Sequence, residues 1–175
     1  MKIFFLPFLS TFISVCWFIF WLFAAVYIFS VGTPQANKLY PFMTDMVWDK
    51  NTRWVFLYHL FGLLWINAFI VGCTQFVIGA SACIWYFEAN SDSKGKGSVW
   101  TAMKWVAIYH WGSVAFGSLI IAICQAIRLI FEYYRRKLGM LDKAIPWVKV
   151  LLTLTGYLLW VLENCIKYIT KNAYI

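Results

Sequence analysis

Charge is scarce in this chain: seven Asp and Glu stand beside fifteen Lys and Arg in 175 residues, and charged residues make up only 13%. A soluble domain carries about a quarter, so the chain lacks the polar surface that a globule in water needs. Histidine is rarer still, with two copies, His59 and His110, each preceded by a tyrosine. Each stands about five residues into an apolar run. Consecutive spans run antiparallel, so the pair falls near opposite membrane faces, about 20 Å apart at 1.5 Å per residue. That separation excludes a shared metal. The five cysteines, Cys16, Cys73, Cys83, Cys124 and Cys165, show neither disulfide nor zinc spacing, and four lie inside apolar runs as small hydrophobes. P-loop, zinc-helix and nucleophile-elbow motifs are missing. All seven acids flank the apolar runs, so no buried carboxylate pair is in sight. These absences argue against an enzyme, a metal site and a bound cofactor.

What the chain has in quantity is apolar surface: 63% of residues are hydrophobic and 21% aromatic, with sixteen Phe, eleven Trp and ten Tyr. A helix needs about 20 apolar residues to cross a bilayer. Three runs meet that length. The first extends from Ile3 to Gly32 without a charge, too long for the apolar part of a signal peptide, about 7–15 residues. Gly32-Thr33-Pro34-Gln35 ends it. The second, Trp54 to Phe87, holds no Asp, Glu, Lys or Arg in 34 residues. Its helix would be about 51 Å long, so it must tilt, bend or project. The third is Trp105 to Ile127, followed by Arg128, Glu132 and the Arg135-Arg136-Lys137 cluster, with its helix continuing through Tyr134. Polar segments at 35–53 and 88–104 separate the runs. A fourth segment, Val150 to Leu162 between Lys149 and Glu163, is short for a crossing and reads as an amphipathic interfacial helix.

The expected architecture is therefore an all-α polytopic membrane protein with three spans, about 5–32, 56–87 and 106–128, plus a short interfacial or fourth helix at about 146–170. The whole chain forms one membrane domain. Its net charge of +8 points to anionic headgroups, not nucleic acid, because the basic residues flank the apolar runs. The Lys and Arg count places the 128–149 cluster on the cytoplasmic side, and hence Met1 outside.

Three residue sets are candidates for function. Small residues recur at helical spacing: Ala68, Gly72, Gln75, Gly79 and Ala82 in the second span, then Gly112, Ala115, Ser118, Ala122 and Gln125 in the third. Such stripes let helices approach closely in lipid, so Gly72, Gly79, Gly112 and Gly117 are candidate packing positions. Polar groups at membrane depth tend to face protein or a cavity, which makes Asn67, Thr74, Gln75, Ser81, Ser118 and Gln125 candidate pathway residues. Aromatic faces form the third set. A quaternary ammonium cannot donate a conventional hydrogen bond and is held by π-faces; Trp65, Trp85, Tyr86 and Trp111 are placed to contribute.

Several blocks resemble the choline transporter-like family. Tyr58-His59-Leu60-Phe61-Gly62-Leu63-Leu64-Trp65 is similar to a family signature. The resemblance continues through Gln75, Gly79-Ala80 and Trp85-Tyr86-Phe87. Tyr109-His110 and Gly112-Ser113 lead into Ala115-Phe116-Gly117-Ser118-Leu119-Ile120-Ile121-Ala122-Ile123 and Gln125. Trp160, Leu162-Glu163, Lys167 and Asn172-Ala173-Tyr174-Ile175 close it. The resemblance implies a polytopic protein of plasma or organelle membranes, including mitochondria, that moves choline or a related organic cation. It also implies more spans than the three or four segments here: the family's first span, its large extracellular loop and its final spans have no counterpart. That leaves part of a longer chain, a short relative acting as an oligomer, or a non-transporting accessory subunit of a larger membrane complex. The loop after Gln35 resembles one that is often extracellular, opposite to the orientation from the charge count.

Overall fold

A computed structural model of the chain describes residues 2–36, 44–87, 98–139 and 146–173. The polar segments read at 35–53 and 88–104, and the Asn172-Ala173-Tyr174-Ile175 motif, lie partly outside the described residues. After a short 3-10 turn, α1 (Phe5–Ser30) is a 26-residue helix. Hydrocarbon offers its backbone no partner, so an apolar run of this length closes its hydrogen bonds on itself. The helix ends where the Val31 and Gly32 N–H groups donate back to Ile28 O at 3.4 Å and Phe29 O at 3.2 Å. Pro34 cannot continue it. The chain turns instead into an exposed antiparallel ribbon, β1 (Thr33–Ala36) against β2 (Thr44–Val47), with Thr33 opposite Val47. Gly32 has a steric reason to be glycine: an added Cβ would stand 2.8 Å from Trp48 Nε1.

α2 (Lys50–Phe87) has 38 residues, about 57 Å of helix against a hydrocarbon core of about 30 Å. α3 (Ser98–Trp105) runs through a π-helical turn, Val106–His110, directly into α4 (Trp111–Gly139). Among the described residues, three stretches are long and apolar enough to cross a membrane: Phe5–Ser30, Lys50–Phe87 and Val99–Lys137. The protein is an all-α integral membrane protein, and the small ribbon is an addition that the apolar pattern does not announce.

α2 lies at the centre, packed on α1 along one side and on α3 and α4 along another. Leu6, Phe76, Val77, Ile84, Ala102, Val106 and Val114 form the buried cluster. The most deeply buried side chains are small: Ser81, Ala102, Val114, Ser118 and Ala122. They mark where backbones come close, which in lipid is the main source of helix association. α1 exposes Phe residues all around, including Phe5, Phe8, Phe12, Phe18 and Phe23, as suits a helix covered by lipid or further protein.

α5 (Pro146–Ala173) packs on α4. Their junction is ionic. The Glu163 carboxylate is 4% exposed, and accepts from Arg128 Nη1 at 2.7 Å and from Lys167 Nζ one turn along its own helix. Burial pushes its pKa up, but the hydrogen bonds from Lys167 and Arg128 outweigh burial and hold it below its ordinary value. A buried charge must be paired in this way to persist.

Candidate functional site

Aromatic side chains from three helices line a groove of about 510 Å³ between α1, α2 and α4. α1 contributes Trp17 and Trp21, one turn apart on the same side. α2 contributes Tyr58, His59, Phe61, Gly62, Trp65, Ile66 and Phe69, and α4 contributes Trp111 and Ala115. Four indoles and three further aromatic rings therefore line one space. Among the described residues its lining holds no Asp or Glu, and His59 is the only titratable side chain besides Tyr58.

Two inter-helix locks hold the walls. Trp21 Nε1–H donates to His59 O at 2.9 Å, and His59 Nε2 lies 3.1 Å from Trp21 O. A carbonyl can only accept, so in this contact His59 Nε2–H is the donor. The two rings stack 4.9 Å apart and 4° from parallel. Across the groove, Trp65 Nε1–H donates to Ala115 O at 3.2 Å. Ser118 Oγ–H donates to the same oxygen at 2.8 Å. Trp111 and Phe69 meet in a T-shaped pair, ring centroids 4.9 Å apart. Trp17 Nε1–H is buried with no partner among the described residues.

Of the residues singled out from sequence, the groove brings together Trp65 and Trp111, with Ser118 behind its wall. Trp85 and Tyr86 are exposed at the far end of α2, twenty residues and about 30 Å along the helix from Trp65. Asn67 and Gln75 are exposed, whereas Gln125 is half-buried away from the groove lining. Thr74 Oγ1–H donates to Ile70 O at 2.9 Å within its own helix. Ser81 is fully buried and its hydroxyl has no partner among the described residues. Among the glycines, Gly72 is buried and Gly79 and Gly117 are half-buried. Gly112 is exposed, and among the described residues an added Cβ would meet nothing within 4 Å. The buried row of α2 instead includes Phe76, Val77 and Ile84.

The two histidines lie at different depths. His110 rests against Phe76, ring to ring at 4.7 Å, and Phe76 is seventeen residues beyond His59, about 25 Å of helix. Trp17, Trp21, Ile66 and Phe69 are the lining residues that sequence reasoning missed. The four-residue spacing of Trp17 and Trp21 was the available signal, hidden in a run that is apolar on every side.

A family model described as a plasma-membrane choline transporter matches residues 1–175. Choline transporter-like protein 2 of Dictyostelium discoideum is 32% identical over 175 residues, 99% of this chain and 27% of that protein. Choline transporter-like 2 of Drosophila melanogaster is 35% identical over 123 residues, 70% of this chain and 15% of the relative. Choline transporter-like protein 1 of Caenorhabditis elegans is 36% identical over 129 residues, covering 73% of this chain and 16% of its own. The chain thus spans well under a third of the length of these relatives. With the family model matching the whole chain, this protein belongs to the choline transporter-like family.

Proposed function

We propose that this chain supplies part of a membrane pathway for choline or a related organic cation, within a longer chain or an oligomer, and that it is not an enzyme. The observation that carries the reading is the groove of indole faces without a carboxylate. A quaternary ammonium offers no N–H, so a carboxylate gives it charge but no directed bond. An aromatic face attracts it through the ring quadrupole, worth about 0.5–2 kcal/mol per contact. The groove's size falls in the range of small-ligand pockets, about 300–1,000 Å³. Asn67, Gln75, Trp85, Tyr86 and Gln125 are left outside this binding role.

Among the described residues the groove is not closed: Tyr58 is 79% exposed and Trp111 54%. Alternating access needs a second wall that can move against this one, supplied by further helices or another copy. α5, tied to α4 through Glu163, suits the membrane interface with its mixed apolar and basic face. Inward movement of a monovalent cation gains about 2.3 kcal/mol per 100 mV of inside-negative potential, so a uniport needs no other driving force. The open groove also suits an accessory subunit that binds or supports without transporting.

Labelled-choline uptake into proteoliposomes separates the two roles. Trp65→Ala and Trp111→Ala each lower uptake efficiency by about 2- to 30-fold, the range of one cation–π contact. Trp85→Ala, outside the groove, leaves it unchanged. The transport reading is overturned if the intact protein shows no uptake in any oligomeric form, and the assignment of the groove if Trp85→Ala costs as much as Trp65→Ala.

A further inference from the structure

A second cleft, of about 310 Å³, opens between the last turn of α1 and the first turns of α2. We propose that it binds a glycerophospholipid, with the lipid phosphate on Arg53 and the upper part of one acyl chain against Ile28, Phe29, Phe56 and Leu57. The site is distinct from the aromatic groove and does not depend on what that groove carries.

The first argument is charge. Of the four arginines, Arg128, Arg135 and Arg136 each bind a carboxylate. Arg53 forms no ion pair among the described residues. Asp49, one turn back, gives it only a backbone contact, Asp49 O accepting from the Arg53 N–H at 3.2 Å. A guanidinium is a planar fork that matches two phosphate oxygens. Thr52, whose hydroxyl can donate, lines the same cleft beside it.

The second argument is the remaining wall. Apart from Thr52 and Arg53, the lining is Ile28, Phe29, Trp48, Phe56 and Leu57. Free phosphate would leave that surface unused, whereas an acyl chain covers it. The wall is built before any ligand arrives. Phe29 meets Trp48 edge-on at 5.4 Å and Phe56 at 5.0 Å, and Trp48 Nε1–H donates to Phe29 O at 3.2 Å.

The third argument is depth. The cleft lies where two membrane-crossing helices end and begin, the level at which tryptophan and arginine meet headgroups. A single ligand with a phosphate above an acyl chain satisfies charge, wall and depth together.

The test uses the intact chain in detergent, titrated with phosphatidylglycerol and read by native mass spectrometry. Wild type binds one lipid more tightly than the rest. Arg53→Gln weakens that first binding by about tenfold, the effect of losing a charged hydrogen-bonding partner, and Arg53→Lys recovers part of it. Lys50→Gln, a nearby cation outside the cleft, leaves it unchanged. Diacylglycerol, with the chains but no phosphate, does not compete, and neither does inorganic phosphate. The proposal is overturned if Arg53→Gln binds like wild type, if Lys50→Gln weakens binding as much, or if inorganic phosphate displaces the lipid. Arg53 is exposed, and an unchanged helical circular-dichroism signal shows that its variants fold.

Discussion

Removing the Trp21–His59 lock should separate α1 from α2 and spoil the aromatic groove together. The lock consists of two inter-helix hydrogen bonds, at 2.9 and 3.1 Å, and one parallel ring stack at 4.9 Å. Hydrogen bonds between membrane helices average about 0.6 kcal/mol by double-mutant cycles. An aromatic pair adds about 0.5–1.5 kcal/mol. Both carbonyls also sit in helical backbone, so losing the side-chain donor does not orphan them, which keeps each bond at the modest end. Each hydrogen bond ends on the other residue's backbone oxygen, which survives substitution, so it counts within its own single variant; only the ring stack couples the two side chains, by about 0.5–1.5 kcal/mol. The assay is a cycle of Trp21→Ala, His59→Ala and the double variant, read by reversible unfolding in mixed micelles. Trp21→Phe and His59→Phe keep a stacked ring and lose one donor each, so each should cost about 0.6 kcal/mol. If the single effects simply add in the double variant, the lock carries no shared energy and the reasoning fails. The same variants should lower choline-analogue binding, because Trp17 and Trp21 form the α1 wall of the groove.

Three further outcomes are expected. Glu163 has a folded-state pKa below its ordinary 4.5, so its contribution is complete above 4.5 and fades as pH falls through the lower folded value; amide exchange of α5 should accelerate in acid, and Glu163→Gln should abolish that pH dependence. Gly32→Ala should cost about 1–3 kcal/mol, because the new methyl displaces the Trp48 indole, and should lift the Trp48–Phe29 hydrogen bond, read as a shift in tryptophan fluorescence. Gly62→Ala meets nothing within 4 Å, whereas Gly156→Ala meets Phe131 Cε1 at 3.2 Å. Thermal unfolding should show the first neutral or raised by up to about 1 kcal/mol of helix propensity, and the second below it.

Three long helices were legible because hydrocarbon imposes a length and forbids charge, and both conditions can be read from a run of letters. Trp65 and Trp111 were singled out as aromatic faces suited to a quaternary ammonium, on the same ground as Trp85 and Tyr86, which lie outside the groove. Trp17 and Trp21 were not, since a helix that is apolar all round does not say which side meets protein. Asn67 and Gln75 fall on the exposed side of α2 because its buried row includes the bulky Phe76, Val77 and Ile84, not only the small-residue stripe. Glu163 looked like the far bracket of a short apolar run; its partner Arg128 is 35 residues earlier, a separation that no local pattern spans. The ribbon at 33–47 depends on pairing between two four-residue strands with no apolar alternation.

The π-helical turn at Val106–His110 has a consequence for helical phase. The buried positions of that continuous helix include Ala102, Val106, Val114, Ser118 and Ala122, all on a beat of four residues. In a straight α-helix each beat of four overshoots a full circle by about 40°. The five beats from Ala102 to Ala122 would drift by about 200° and turn the last of them away from α2. A turn closed by i→i+5 bonds takes in more residues per circle, so it winds part of that drift back. The turn works as a vernier that brings both halves of the helix into step with one partner. Deleting a single residue such as Ile108 would rotate α4 by about 100° and carry Trp111 off the groove, although every lining residue would still be in the chain.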